Sequence, residues 1–424
     1  MRSWMAIAAL SLPLLHGCGG GGSDSGGGDG AVRLVNAAEG YDSLDLYAND
    51  TEISSAVSLD SAGDYTTLGS NTYTFKLKRA GSSTTASSGS RTVSGSTSYS
   101  LLAYSTADSL RSVMLSETEV APSSGAAKLR VFNGSVEAGT LDVYVTDPTA
   151  SLNDSSPTVS SVGTERVTTY NEISEGTYRI RVTGAGDKND LRLDLPSVTL
   201  NDQQITTLVL TSTPGGVLVH GTTLDQKGDV AARKNPSARV RLVAGANANA
   251  SVAATVRGVQ LSAGQPSSSV GNYVLVGAGA LTGSVSIAGQ AVTLPTGTLA
   301  AGSDNTLLVT GAAGSGTATL LADDNRPPLN TANTKLRLVN GVGSSASPMT
   351  LTADFGAVAT DIGPNAASTP ASIPAGTLIR LEVTSPAGGS LYLAEDVTLL
   401  ATRVYTVFML GDANAPVGIP RRDR

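Results

Sequence analysis

Apolar and polar residues alternate along most of this chain in runs of five to eight, bounded by Gly, Ser, Asn and Pro, which is the mark of short β-strands. No stretch after the first thirty residues sustains a helical period. One phrase of that alternation is written four times: "VRLVN" at Val32, "LRVFN" at Leu129, "VRLVAG" at Val240 and "LRLVN" at Leu336. Its arginines, Arg33, Arg130, Arg241 and Arg337, recur roughly every 100 residues, which is too long for a solenoid repeat and matches a whole β-sandwich.

More than the opening phrase recurs. A second strand follows each copy: "LDLYAND" at Leu44, "LDVYVTD" at Leu141, "VAATVRG" at Val252 and "MTLTADF" at Met349. A midway strand comes next, as "NTYTFKLK" at Asn71, "GTYRIRVTGAG" at Gly176, "GNYVLVGAG" at Gly271 and "GTLIRLEVTSPAG" at Gly376. Late strands read "SYSLLAYS", "ITTLVLTS", "NTLLVTGA" and "VYTVFMLG". The joins "SETEVAPSSG", "LDQKGDVAARKNPSA" and "ADDNRPPLNTAN" are polar, contain proline and read as linkers. The expected fold is all-β, four tandem immunoglobulin-like or transthyretin-like β-sandwich domains over 31–122, 126–232, 236–326 and 334–424. Domains of that scaling strung end to end would approach ~130 Å.

The strand ends, then the second strand, carry a resemblance. An opening strand closed by Asn and followed by "LDLY" or "LDVY" resembles the bacterial surface repeat catalogued as domain of unknown function 4397. Copies one and two match it best, copy four has "MTLT", and copy three has Ala244 in place of the Asn. The resemblance implies a β-sandwich in cell-envelope proteins and no assigned activity.

The N-terminus changes the picture from fold to location. Arg2, the apolar run "WMAIAALSLPLL" and a small residue before Cys18 describe a secretory signal peptide over 1–17, too short for an ordinary membrane span. Leu15-His16-Gly17-Cys18 resembles a bacterial lipobox, which implies lipidation at Cys18, the sole cysteine of the chain. The partner so implied is membrane lipid, reached through acylated Cys18. More than one acyl chain is needed to hold such a protein stably. Gly19 rather than Asp follows the cysteine, so the outer membrane is the expected address, facing either the periplasm or the outside. Residues 18–30 form a Gly/Ser tether whose twelve residues after Cys18 typically span ~19 Å.

Composition narrows function mainly by exclusion. The chain has 424 residues, 40% hydrophobic, 15% charged and 4% aromatic, with a net charge of -7. No Lys/Arg cluster exists beyond the terminal "RRDR", so no nucleic-acid partner is expected. After the signal peptide one histidine remains, His220, and there is no G-x-S-x-G elbow to supply a triad serine. No catalytic residue, cofactor or metal site is expected, and the protein is expected not to be an enzyme. Carboxylates recur at the joins, at Glu117 and Glu119, Asp225 and Asp229, and Asp323 and Asp324, where solvated linker charge is the expected role. The tyrosines of strand patterns, Tyr47, Tyr144, Tyr178 and Tyr273, are expected in cores.

Within the phrase, Val32, Leu34 and Asn36 share one face, and Arg33 and Val35 the other. The first face is expected to be core. Asn36, Asn133 and Asn340 are expected to shape turns. Asp45 and Asp142 hold matched places on the next strand, so Arg33–Asp45 and Arg130–Asp142 pairs across a hairpin are expected, with each arginine's stem on the sheet and its head in water. Arg33→Met should then leave the domain folded. The function expected is surface presentation, spacing or adhesion toward an envelope or extracellular partner that the sequence does not identify. The alternative is a periplasmic or surface ligand- or polysaccharide-binding module. The loop "TDPTASLNDSSPTVSSVGTERVTTY" is the expected variable contact site.

Overall fold

The computed structural model describes residues 28–106, 109–343, 347–386 and 389–424. The signal peptide, Cys18 and most of the tether lie outside the described residues. What is described is β-structure apart from one short 3-10 turn at Asn247–Asn249.

Four pairs of sheets follow one plan, called here units 1 to 4. In unit 1 the opening strand Gly30–Ala37 lies mid-sheet, parallel to the late strand Ser98–Thr106, which turns back antiparallel into a closing strand, Ser109–Ser116. On its other side it pairs with two short strands, Ser61–Ala62 and Thr66–Leu68. The second sheet runs Thr51–Ser58, Ser43–Ala48, Asn71–Arg79, Thr85–Val93. Opening strands Ala126–Asn133, Ser237–Ala246 and Asn333–Gly341 take the same place, parallel to late strands Ile205–Ser212, Asp304–Gly311 and Val404–Asp412. Parallel pairing forces the long excursion between first and late strand, and the second sheet is that excursion.

Inside each unit the alternating residues meet as the pattern demands. Val32 and Leu34 pack on Leu44, Leu46, Phe75, Leu77 and Leu101 in unit 1. Leu129 and Val131 meet Leu141, Val143, Ile180 and Leu208 in unit 2. Full burial of such side chains contributes about 1.5–3 kcal/mol each.

Two further clusters lie between units. Val35, Leu102 and Leu115 of unit 1 pack on Phe132, Val209 and Leu224 of unit 2. Tyr104 meets Phe132 edge-on, with ring centroids 5.1 Å apart. Val243 and Leu308 of unit 3 pack on Val339, Phe408 and Leu410 of unit 4. The opening-strand sheet of each unit is therefore covered on both faces, which is why its late strand is apolar almost continuously. A Cβ on Gly341 would come within 2.6 Å of Leu410 and 3.0 Å of Leu308, so this glycine admits the close approach of the two sheets. The picture of separate domains strung end to end is corrected: the units associate as 1 with 2 and 3 with 4.

Two local readings also change. In unit 3 Ser251–Val256 pairs with Val259–Pro266 on one side and Gly283–Ile287 on the other, whereas Val274–Gly277, inside "GNYVLVGAG", pairs with the opening strand. That is the position of Thr66–Leu68 in unit 1, so the expected midway strand of copy three is corrected: the second-sheet strand in that place is Gly283–Ile287. Part of the second join is not linker either, because Val230–Arg233 adds an edge strand to unit 2.

Candidate functional site at the seams between units

The four repeated arginines point away from the unit cores into the seams. Each Nε donates to the hydroxyl directly beside it on the parallel late strand: Arg33 to Ser100 at 2.8 Å, Arg130 to Thr207 at 2.9 Å, Arg241 to Thr306 at 2.8 Å and Arg337 to Thr406 at 2.9 Å. In three units a tyrosine stacks on the guanidinium, with Arg33 over Tyr65, Arg130 over Tyr170 and Arg241 over Tyr273 at 4.9, 4.5 and 4.5 Å from the ring centre. Tyr273 thus sits at a seam on an arginine rather than in a unit core. The heads are not in water: Arg33, Arg241 and Arg337 are 4%, 1% and 2% exposed. The expectation of a solvated arginine head is corrected, because the second unit supplies the cover.

In three of the four units a carboxylate completes the set, and in unit 2 a glutamine takes its place. Two residues beyond the closing-strand partner of each hydroxyl stand Glu117, Gln226, Asp323 and Asp423. Between units 3 and 4 the pairs are exchanged. Thr306 donates to Asp323 of its own unit, and Arg337 of unit 4 reaches the same carboxylate at 2.5 Å. Thr406 donates to Asp423, and Arg241 of unit 3 pairs with it. The seam is reciprocal, as a two-fold interface between like surfaces is. Burial pushes the Asp323 carboxyl up, but the charges of Arg337 and Arg241 and the hydrogen bonds from Thr306 and Tyr273 outweigh it and hold the group below the usual carboxylate range. Tyr273, donating to Asp323 at 2.6 Å, is raised well above the usual phenol range by burial and by the Asp323 charge.

Units 1 and 2 do not exchange. Glu117 stays with Arg33 of its own unit at 3.1 Å and accepts from Ser100, Tyr65 and the Lys227 backbone N–H. Arg33 reaches across to two unit 2 carbonyls, Gly228 at 2.6 Å and Asp225 at 3.1 Å. The cause is Gln226, which stands where the other units place a carboxylate and bonds the Glu119 backbone instead. With no charge to receive Arg33 in unit 2, Glu117 is retained, and Arg130 makes no ion pair among the described residues. Burial lowers its pKa below the usual arginine value. His220 is in this region as well. Its Nδ1 accepts the Asn235 N–H at 3.0 Å, and burial with nearby Lys234 brings its pKa down to about 4. Lys234 in turn joins unit 2 to Glu39 and Asp60 of unit 1.

The other marked residues have structural partners. The expected Arg33–Asp45 and Arg130–Asp142 pairs are corrected: opening and second strands lie in different sheets, so no hairpin joins them. Asp45 accepts the N–H groups of Ala56 and Gly81 at 2.8 and 3.0 Å, and Asp142 those of Ser161 and Gly186 at 2.7 and 2.9 Å. Asn36 is fully buried, donates to the carbonyls of Tyr41 and Val57, and accepts the Ala38 N–H. Asn133 does the same with Gly139, Val162 and Ser135, and Asn340 with Ile362 and Val342. Where copy three has Ala244, the Ser267 hydroxyl donates to the Ala244 carbonyl at 3.2 Å. Glu117 and Asp323 are 4% exposed each, which corrects the picture of solvated join carboxylates. Among the described residues no group of three or more His, Cys, Asp and Glu is placed to hold a metal ion.

The molecule is thus a multi-unit all-β protein whose repeat arginines and the carboxylates paired with them lie in the seams between its units. Residues 30–144, unit 1 and the first two strands of unit 2, match the family model described as "Domain of unknown function (DUF4397)". No curated protein matches the chain. Among solved structures, "The Bacillus anthracis TIE protein" is similar at 10% identity, over 92% of this chain and 69% of that one, with a TM-score of 0.15. A superposition that loose says nothing about shared architecture or function.

Proposed function

We propose that this is a non-enzymatic, lipid-anchored protein of the cell envelope, whose braced sandwich pairs hold a contact surface at a set distance from the membrane for presentation, spacing or adhesion. The observation that carries the reading is the use of the charged repeat residues. Arg33, Arg241, Arg337, Glu117, Asp323 and Asp423 neutralise one another inside seams, where they stiffen the array and are withheld from substrate. Tandem units of the domain-4397 type and an acylated Cys18 belong to the same reading, as does an outer-membrane address. The Gly/Ser tether would let the array tilt, while the seams keep its units in register.

Two measurements test it. Metabolic labelling with a fatty acid should mark the wild-type chain and miss Cys18→Ala, which should move from the membrane to the soluble fraction; label or membrane retention in the variant overturns the anchor. Small-angle scattering on residues 28–424 should give a radius of gyration well under the ~38 Å of a straight 130 Å string. A value near the string's overturns the braced array.

A further inference from the structure

Large apolar side chains that reach solvent gather in unit 4: Phe355, Leu378, Leu393, Leu400 and Val417, against three elsewhere among the described residues. Phe355 and Leu378 are the most exposed of the five, at 78% and 71%, and both hold a left-handed backbone, with φ of 68° and 62°. Phe355 stands in the two-residue turn Asp354-Phe355, which joins Met349–Ala353 to Gly356–Ile362 and has positive φ at both positions. Unit 3 makes the same turn with Arg257-Gly258, and unit 1 has Asn49-Asp50 at that place. Glycine adopts this conformation freely, whereas a bulky side chain there is an outlier. A strained residue that its own core does not use points to a contact made elsewhere.

Beside the turn lies a mostly apolar groove of about 340 Å³, whose lining includes Ala353, Val358, Ile373, Pro374 and Ile379. That exceeds the ~150 Å³ that admits a benzene ring in an apolar cavity. Phe355 does not line it; its ring is held outward under the Arg380 guanidinium, 4.7 Å from the ring centre. A projecting ring and a recess for one thus share one surface. Charges of both signs share it too. Arg380 pairs with Glu382 at 2.7 Å, while Asp354, which accepts the Arg380 N–H at 2.8 Å, makes no ion pair among the described residues. One cation beside two carboxylates disfavours an anionic lipid surface and suits a partner with the same mixture of charge. Gly356–Ile362 is the outermost strand of its sheet, so its backbone edge is open to pairing as well.

From these features we infer that this end of unit 4 is where two copies of the chain meet, about a two-fold axis, each placing Phe355 in the other's groove. A contact of that kind requires one patch complementary to itself. The ring with the groove, and Arg380 with Asp354, supply both halves on each copy. The inference does not depend on lipidation or on the surface role above.

Sedimentation velocity on residues 28–424 from about 1 to 300 μM tests it. The mass should rise with concentration toward that of two chains and stop there. A monomer throughout, or a mass that keeps climbing past two copies, overturns the inference. Phe355→Gly should weaken association at least about tenfold. Its melting temperature, taken at a concentration where both proteins are monomers, should be no lower than the wild type's, because glycine relieves the turn and the exposed ring supports no core. Undiminished association in that variant overturns the inference. Flotation with phosphatidylcholine vesicles tests the other occupant of an apolar tip, and the wild type should stay behind. Vesicles that carry up the wild type and not Phe355→Gly overturn the two-fold contact and identify a lipid surface.

Discussion

Both seams are built around the repeat arginines and the hydroxyls beside them, and the difference that bears on charge is Gln226, which stands where the other three units place a carboxylate. Between units 3 and 4 the closest arginine–aspartate contacts are exchanged, Arg337 with Asp323 and Arg241 with Asp423, while Arg241 keeps a longer contact at 3.5 Å to Asp323 of its own unit. Between units 1 and 2, Gln226 takes the place of the carboxylate, and Arg33 turns back to Glu117 while donating to unit 2 only through backbone carbonyls. A buried charge pair is held in place less by its net strength than by the cost of separating it. The exchanged seam makes that cost a condition of docking. The unexchanged seam relies more on its apolar contacts, which include Tyr104, Phe132, Leu102 and Val209.

The largest expected effect is therefore at the exchanged seam. Asp323→Ala removes one acceptor from Arg337, Arg241, Thr306 and Tyr273 together and should cost the 3/4 pair about 3–5 kcal/mol in a denaturant titration. A loss under about 1 kcal/mol would mean that the seam is wet and that the contrast is false.

Acid should act on the other pair. His220 titrates at about 4 in the folded chain against 6.5 when unfolded, so below pH 6.5 the unfolded state takes up the proton first. Stability is full above about pH 6.5 and falls as the pH drops toward 4, by up to about 3 kcal/mol. His220→Gln should flatten that part of the profile for units 1 and 2; a slope that persists assigns the acid sensitivity elsewhere.

Arg33→Met should cost about 2 kcal/mol, less than Asp323→Ala because Glu117 keeps donors from Ser100, Tyr65 and Lys227. The smallest effect belongs to Arg130→Met, at most about 1 kcal/mol, since no carboxylate is orphaned and the apolar stem is retained. In a Gln226→Glu background the same Arg130→Met should cost at least about 1 kcal/mol more, as the new carboxylate takes Arg33 and releases Glu117 to Arg130. Absence of that coupling would show that one glutamine does not decide the seam.

Much of the fold was legible because a β-sandwich core obeys local alternation. Val32 and Leu34 face their core as the two-residue period requires, and Asn36 ends the strand with side-chain bonds to nearby turns. The second buried face was readable too, though less plainly. Val35, Phe132, Val243 and Val339 sit on the arginine side of each phrase, and "SYSLLAYS" or "VYTVFMLG" leaves no polar face for water. The carboxylates were visible in "LSETE", "LDQKG", "LADDN" and "RRDR", but their shared register appears only once the closing strands are paired. Copy three's midway strand was misplaced because "GNYVLVGAG" and "GSVSI" both alternate, and alternation does not say which sheet a strand joins.

The sequence by itself determined the all-β architecture, the repeat of its units and the inward face of each opening strand, since these follow from local periodicity and turn chemistry. Only the tertiary structure decided what the other face meets. An arginine on an outward face reads alike whether water or another sheet covers it, because the residues that neutralise it, such as Asp423 for Arg241, lie far along the chain. Such pairings are set by packing between units, and no local pattern encodes them.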